Sequence, residues 1–332
     1  MSELTKFLFE GLPVRGMLVR LTDSWREVLR RRGAARAYPP PVRELLGEMA
    51  AAGVLMQANI KFNGALVLQI HGDGPVKLAV AEVQSDLAFR TTATLTGSVA
   101  AGAQLEALVN VHGRGRCAIT LDPRDRLPGQ QPYQGIVPLS AGAHGHKREP
   151  MQRVQQVLEH YMLQSEQLDT RLVLAANDEL AAGLLIQRLP VQGEGNLEGA
   201  AEAAAQPGGR RNEDDIGLSE AFNRIATLAA TLTREELLSL PAERLLHRLF
   251  WEETLRVFEP LSPRFACTCS RERVRGMLQG LGREEVEGIV AERGEVEIGC
   301  EFCGVQYRFD AVDVGELFTP DVDQPPGSGA VQ

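Results

Sequence analysis

The chain has 332 residues, a formal net charge of −9, 44% hydrophobic and only 5% aromatic residues, and five cysteines. The length predicts two or three domains. The acidic balance counts against general nucleic-acid binding, which needs a basic face against phosphate, and against a polybasic membrane-surface binder. No run approaches the eighteen or so apolar residues that span a bilayer. The first residues, MSELTKFLFEGLPVRG, lack the basic start, apolar stretch and small-residue cleavage site of a signal peptide. The expectation is a cytosolic protein with reduced cysteines, and an odd total of five fits a disulfide framework badly.

Residues 1–190 read as one strand-rich α/β domain. VRGMLVRLT (14–22) is strand-like, and a helix from about Thr22 carries Trp25, Val28 and Leu29 on one face. After Tyr38-Pro-Pro-Pro41 comes a long apolar helix over 42–60, and GALVLQIHG, Asp73-Gly74 and PVKLAVAEV form a β-hairpin signal. Further strands are expected near 104–112, 116–121, 134–139, 170–176 and 181–188, with a helix opening near Pro150. The fold class is α+β: a large mixed α/β N-terminal domain with antiparallel sheet.

At about residue 191 the composition changes. The stretch 192–215 has almost no large apolar residues and reads as a flexible linker. From Leu218 to Phe258 the pattern is helical: Phe222, Ile225, Leu228 and Ala229 repeat at helical spacing, and Thr233 with Glu236 forms a capping box. Leu245, Leu246, Leu249, Phe250 and Leu255 continue the stripe. These amphipathic helices must pack on something, and the N-terminal domain is the expected partner, which makes them a removable cover. The organisation read from sequence is therefore 1–190, a linker and helical cover over 191–260, a small module over 261–318 and a disordered tail over 319–332.

Four of the five cysteines, Cys267, Cys269, Cys300 and Cys303, fall within 37 positions as C-T-C, thirty residues, and C-E-F-C. Two close pairs joined by a spacer suit one tetrahedral zinc ion. EVEI (295–298), a tight turn through Cys300–Gly304 and VQYRF (305–309) read as a hairpin. In the spacer, Ser270 caps a helix carrying Val274, Met277, Leu278 and Leu281; Gly282 breaks it, and a second helix with Val286, Ile289 and Val290 stops at Gly294. A purely structural zinc site, an iron–sulfur centre and disulfides remain open on spacing alone. Two features point towards redox chemistry. The C-x-C sulfurs are close enough to oxidise to each other, and metal-bound cysteines are thiolates, the form that peroxide attacks. A module of under seventy residues also depends on its metal, a term of roughly 10–16 kcal/mol in zinc-finger peptides.

Other motifs carry less. His144 and His146 with Glu149 offer an H-x-H metal pair, against a solvated glycine-rich loop. HGDG (71–74) and HGRGR (112–116) loosely suggest phosphate cradles, although hairpin turns explain both. Cys117, in CAITL, reads as a buried, inert cysteine.

The two cysteine pairs, preceded by RVFEPLSPRFA (256–266) and followed by CSRERV, resemble the redox switch of the thirty-three-kilodalton heat-shock holdases, a family of redox-regulated chaperones. The resemblance extends to 66–90, PYQGIVPL (132–139), 161–175, GLLIQRLP (183–190) and ELLSLPAERLLHRLFWEE (236–253), covering about 1–318 apart from 192–215. It implies a chaperone rather than an enzyme. By the same resemblance, the reduced form is expected to bind one zinc through Cys267, Cys269, Cys300 and Cys303 and to be inactive. Oxidation is then expected to form Cys267–Cys269 and Cys300–Cys303 disulfides, release zinc and unfold the linker region, so that the protein dimerises and holds unfolding clients without ATP. Arg271, Arg273 and Arg275 beside the first pair either offset the anionic site or form an ordinary solvated helix face. Two readings compete: a thiol–disulfide oxidoreductase using Cys300 and Cys303, and a constitutive zinc-ribbon interaction module.

Overall fold

A computed structural model of the chain describes residues 1–33, 37–125, 129, 131–141, 149–189 and 213–319. Of the linker expected over 192–215 and the tail expected over 319–332, residues 192–212 and 320–332 lie outside the described residues, as does the His144–His146 pair; residues 213–215 open a helix instead of continuing the linker. The chain forms two compact units, Met1–Ala266 and Cys267–Gln332.

In chain order the large unit comprises β1 (Glu3–Phe9), β2 (Val14–Leu21), α1 (Asp23–Arg32), α2 (Pro40–Asn59), β3 (Gly64–His71), β4 (Val76–Gln84), β5 (Ala88–Leu95), α3 (Leu105–Val109), β6 (Arg116–Pro123), β7 (Tyr133–Pro138), β8 (Ser140–Ala141) and β9 (Glu149–Pro150). It continues with α4 (Val154–Ser165), β10 (Thr170–Ala176), β11 (Ala181–Arg188), α5 (Glu213–Ala230), α6 (Arg234–Ser239), α7 (Ala242–Phe250), β12 (Leu255–Val257) and β13 (Arg264–Phe265). A first sheet has the order β10-β11-β2-β1-β12, and a second β13-β5-β4-β3-β6-β7. All pairings are antiparallel except the two-residue β13–β5 contact. The expected α+β class with antiparallel sheets is the one observed.

Helix α2 packs on both sheets. Two prolines open it, where the missing N–H groups cost nothing, and fourteen of its twenty residues are buried. A helix that is apolar all round belongs inside a core. Leu45, Met49, Val54 and Leu55 meet Val19 and Leu185 of the first sheet and Leu68 and Val83 of the second in one continuous cluster. The helix has no basic residue in its last turn, and Lys6 of β1 supplies the missing cation by donating from Nζ to the Ala58 carbonyl at 2.6 Å.

The first sheet is apolar on both faces. Along β2, Met17, Val19 and Leu21 point into the α2 core, while Val14 and Leu18 point the other way; along β11, Leu185 and Ala181 alternate with Ala182, Leu184 and Ile186. The second face, which also carries Phe7 and Phe9, is covered by Phe222, Ile225 and Ala229 of α5, Leu237 of α6, and Leu245, Leu249 and Phe250 of α7. Phe250 stacks edge-on against Phe9 at 5.0 Å and lies 6.1 Å from Phe7. Gly16 is required here because a Cβ on it would sit 2.1 Å from the Phe7 ring. Two arginines fasten the cover: Arg20 of β2 donates to the Leu237 carbonyl at 2.7 Å, and Arg234 donates to the Ala176 carbonyl and pairs with Glu44 at 3.1 Å. The expected Thr233–Glu236 capping box opens α6.

Three local expectations need correction. The strand expected near 104–112 is the short helix α3, because Leu105, Leu108 and Val109 are buried at helical spacing. Leu255 does not extend the helical stripe; the chain leaves α7 after Phe250, and Leu255 pairs with Phe9 in β12. Residues 261–266 belong to the large unit rather than the small one, since Leu261 bridges Leu4 and β13 pairs with Ala88 and Phe89. Strands β1 and β5 were not anticipated.

Glu48 of α2 faces a cleft of about 340 Å³ shared with Glu44, Arg153 and Arg234. Burial is the main cause that pushes its carboxyl up to about 7, with Glu44 adding to the rise and Arg234 and Arg153 opposing it. A carboxyl with a raised folded value binds its proton more tightly folded than unfolded. Its contribution is therefore most favourable at low pH and is lost as pH rises from the ordinary value of 4.5 towards 7. Glu48→Gln is expected to raise the melting temperature more at pH 8 than at pH 5, measured by thermal unfolding; an equal change at both would contradict this reading of Glu48.

Candidate metal centre

The small unit is built from α8 (Arg271–Leu281), α9 (Arg283–Arg293), β14 (Val296–Gly299), β15 (Gln306–Phe309) and α10 (Ala311–Leu317). Ser270 caps α8 by accepting from the Arg273 amide, Gly282 separates the two spacer helices, and Gly294 ends the second, all as expected. Helix α10 was not anticipated; Asp310 caps it by accepting from the Val312 and Asp313 amides. The core of this unit is thin: among the described residues its buried apolar cluster is Leu278, Val286, Val296, Phe309, Val314 and Leu317.

The β14–β15 hairpin turns through Cys300–Gly304. The Gly304 amide donates to the Cys300 carbonyl at 2.8 Å and the Cys300 amide to the Val305 carbonyl at 2.9 Å. Gly304 closes the turn with φ of 72°, a left-handed value that glycine adopts without a steric penalty. The turn aims backbone N–H groups of Phe302 and Cys303 at the Cys300 sulfur, and that of Val305 at the Cys303 sulfur. The chain after Cys303 is a strand, so this C-x-x-C does not have the helix-opening context of a thioredoxin-like pair.

The loop before α8 brings the other pair to this turn. Cys269 and Cys303 have their Sγ atoms 3.3 Å apart, Cys267 and Cys300 3.6 Å, and all four sulfurs lie within 4.8 Å of one another. A tetrahedral ion with Zn–S bonds of about 2.3 Å separates its sulfurs by about 3.8 Å, so the four-sulfur set matches the chemistry and size of such a site. Cys303 is buried and the other three are half-buried. Burial raises the Cys300 and Cys303 thiols above the ordinary cysteine value. Four thiolates at this spacing need a cation to hold their charge. The four residues could therefore hold one metal ion, and an all-sulfur tetrahedral set is consistent with zinc.

Two of the three neighbouring arginines, Arg271 and Arg273, are tied into the unit. Arg271 donates to the Arg308 carbonyl and pairs with Asp313, both at 2.8 Å, and its guanidinium stacks 4.2 Å from the Phe309 ring centre. Arg273 donates to the Thr268 hydroxyl, between the two cysteines of the first pair, at 2.9 Å. One contact had no sequence signal beyond strand alternation: Tyr307, opposite Ile298 in the hairpin, donates its hydroxyl to the Cys269 sulfur at 3.1 Å.

The remaining candidates resolve as structure. The two glycine-rich motifs meet, but the Asp73 carboxylate accepts the His112 and Arg114 amides that a phosphate would need. Cys117 sits in β6 between Ile70 and Val137, and burial pushes its thiol up to about 12, which leaves it protonated and unreactive. Among the described residues, no helix is long and apolar enough to cross a membrane.

The family model described as Hsp33 protein matches residues 2–310. The chain is 47% identical over 321 residues to a 33 kDa chaperonin of Chromobacterium violaceum, covering 97% of this chain and 95% of that one. It is 42% identical to a 33 kDa chaperonin of Methylobacillus flagellatus, covering 98% and 97%, and 41% identical to one of Neisseria meningitidis serogroup B, covering 96% and 92%. The crystal structure of the 33 kDa chaperonin of Thermotoga maritima superposes with a TM-score of 0.71 over 96% of this chain and 98% of that one; at 19% identity it speaks for the fold. With a family model spanning most of the chain and near-full-length relatives above 40% identity, this protein belongs to the Hsp33 family of chaperones.

Proposed function

We propose that this protein is a redox-regulated, ATP-independent holdase of the cytoplasm, which binds unfolding client proteins under oxidative stress and turns over no substrate. The observation that carries the proposal is the doubly apolar first sheet, whose outer face is hidden by helices lying just upstream of the four-cysteine cluster. Residues 1–190 are assigned client binding and dimerisation, 191–260 the linker and cover, and 267–318 the switch, with 261–266 held in the large unit.

In the reduced state, Cys267, Cys269, Cys300 and Cys303 hold one zinc ion as thiolates. A zinc ion held by these four sulfurs would offset their charge and cross-link the loop before α8 to the β14–β15 turn. Peroxide then oxidises each near pair. Two thiolates give up two electrons and form an S–S bond, while the O–O bond breaks and takes up two protons to give two waters. A disulfide draws its sulfurs to about 2.05 Å, which the spacing of a four-sulfur tetrahedron cannot accommodate. The Cys267–Cys269 and Cys300–Cys303 disulfides are neutral and no longer ligate. Without that cross-link, six buried side chains are a weak reason for the small unit to stay folded.

The helical cover is joined to Cys267 through a segment fastened to the rest of the large unit by the three residues of β12, the Leu261–Leu4 bridge, the two residues of β13 and an Arg264–Asp86 ion pair. Loss of structure below Cys267 removes the anchor on its far side. Release of α5–α7 would uncover Phe7, Phe9, Val14, Leu18, Leu184 and Ile186, an apolar surface suited to unfolded chains and to pairing with a second oxidised copy. The net charge of −9 argues against a nucleic-acid partner.

The test is aggregation of a thermally unfolded client with reduced and peroxide-treated protein, with released zinc and alkylated thiols measured together. Oxidised protein is expected to release about one zinc per chain, lose four alkylatable thiols but not Cys117, and suppress aggregation; full zinc release without suppression would overturn the reading. Phe250→Ala is expected to cost about 3–5 kcal/mol of cover packing and to give client binding in the reduced state. A reduced variant with a loosened cover, by hydrogen exchange, that still ignores clients would place the client surface elsewhere.

A further inference from the structure

The four sulfurs are not equivalent in their surroundings. Cys300 and Cys303 receive backbone N–H groups that their own tight turn supplies. Cys269 instead receives a side-chain donor from across the unit, the Tyr307 hydroxyl at 3.1 Å, from a residue 38 positions away on β15. The ring of Tyr307 packs against the small core, so the phenol is held in place by contacts that do not involve its oxygen.

We propose that Tyr307 is a positioning residue for Cys269 whose hydroxyl restrains the reactivity of that sulfur while the cluster is reduced. The physical argument is short. A hydrogen bond to a thiolate withdraws electron density from the lone pair that attacks the peroxide O–O bond, and charge-assisted bonds of this kind are among the stronger ones in proteins. Nucleophilicity falls as the thiolate is stabilised. The same bond orients the Cys269 side chain, as partners outside the ligand set commonly do. The bland alternative is a half-buried phenol meeting its hydrogen-bonding need, in which case the sulfur's reactivity is indifferent to it.

This inference rests on the reading that the four cysteines ligate a metal ion and are oxidised in near pairs. Tyr307→Phe keeps the ring and its packing and removes the donor. In the full-length, zinc-loaded, reduced chain, initial rates of peroxide oxidation are read separately for the two pairs by timed alkylation and mass spectrometry. The variant is expected to oxidise at Cys267 and Cys269 about three- to tenfold faster, with the initial rate at Cys300 and Cys303 unchanged. In cobalt-substituted protein, its sulfur-to-metal charge-transfer band is expected to move to lower energy, a signature that altered packing alone does not produce.

Equal initial rates and an unshifted band would overturn the role of Tyr307 while leaving the redox reading intact. Wild-type protein whose cysteines resist peroxide would overturn the redox reading itself. If Tyr307→Phe fails to take up cobalt, a fluorinated tyrosine at position 307, a stronger donor, is expected to slow oxidation at Cys269; an unchanged rate there would overturn the proposal.

Discussion

The structure depends on one constraint: a sheet with two apolar faces has to be covered twice. Strand β2 shows it within eight residues, since Met17 and Val19 face one way, Val14 and Leu18 the other, and all four are buried. Such a sheet cannot meet water on either side without exposing a patch large enough to bind other chains. The two covers are unequal. Helix α2 is buried nearly all round and locked between two sheets, so it cannot leave without dismantling the core. Helices α5–α7 are amphipathic, pack on one face of the first sheet through a single apolar cluster, and are further fastened by two arginine–carbonyl bonds and the Arg234–Glu44 ion pair. In the proposed active state, their release would expose a surface while the α2 core stays in place.

The small unit inverts the usual balance between packing and covalent chemistry. Among the described residues, its six buried cluster residues form a core far smaller than the cluster around α2. Four sulfurs drawn within 4.8 Å of one another concentrate both the charge problem and the cross-linking in one place. The donors in that shell are supplied by the fold: amides of the Cys300–Gly304 turn on one side and Tyr307 on the other. Arg271, which sequence proximity suggests as a counter-charge, is instead engaged by Asp313, Arg308 and Phe309 and ties α8 to β15 and α10.

Legibility in the sequence followed the range of the interaction. The strands at 170–176 and 181–188, the hairpin around Asp73-Gly74, the Ser270 cap and the Gly282 and Gly294 breaks all rest on local chemistry and were readable. The four cysteines were readable because spacing itself encodes two loops that can share an ion. Strand β1 was missed because ELTKFLF alternates imperfectly; both faces of its sheet are buried, so period-two contrast fades. The stretch 104–112 suggests a strand while Leu105–Val109 is helical, because an apolar run this short does not separate a strand from one turn of helix. Leu255 continues a helical spacing by coincidence, and only its pairing with Phe9 reveals a strand. The Tyr307–Cys269 bond spans 38 residues and two elements, and no local rule reaches that far.

Backbone hydrogen exchange over Glu213–Phe250, compared between the reduced zinc-loaded protein and the fully oxidised, zinc-free protein, is the most direct measurement of whether cysteine chemistry controls the cover. The expected result is that protection in α5–α7 collapses on oxidation while α2, over Pro40–Asn59, keeps its protection. Full oxidation of Cys267, Cys269, Cys300 and Cys303 with α5–α7 still protected would contradict it, because the apolar face of the first sheet would then remain closed in the state proposed to be active.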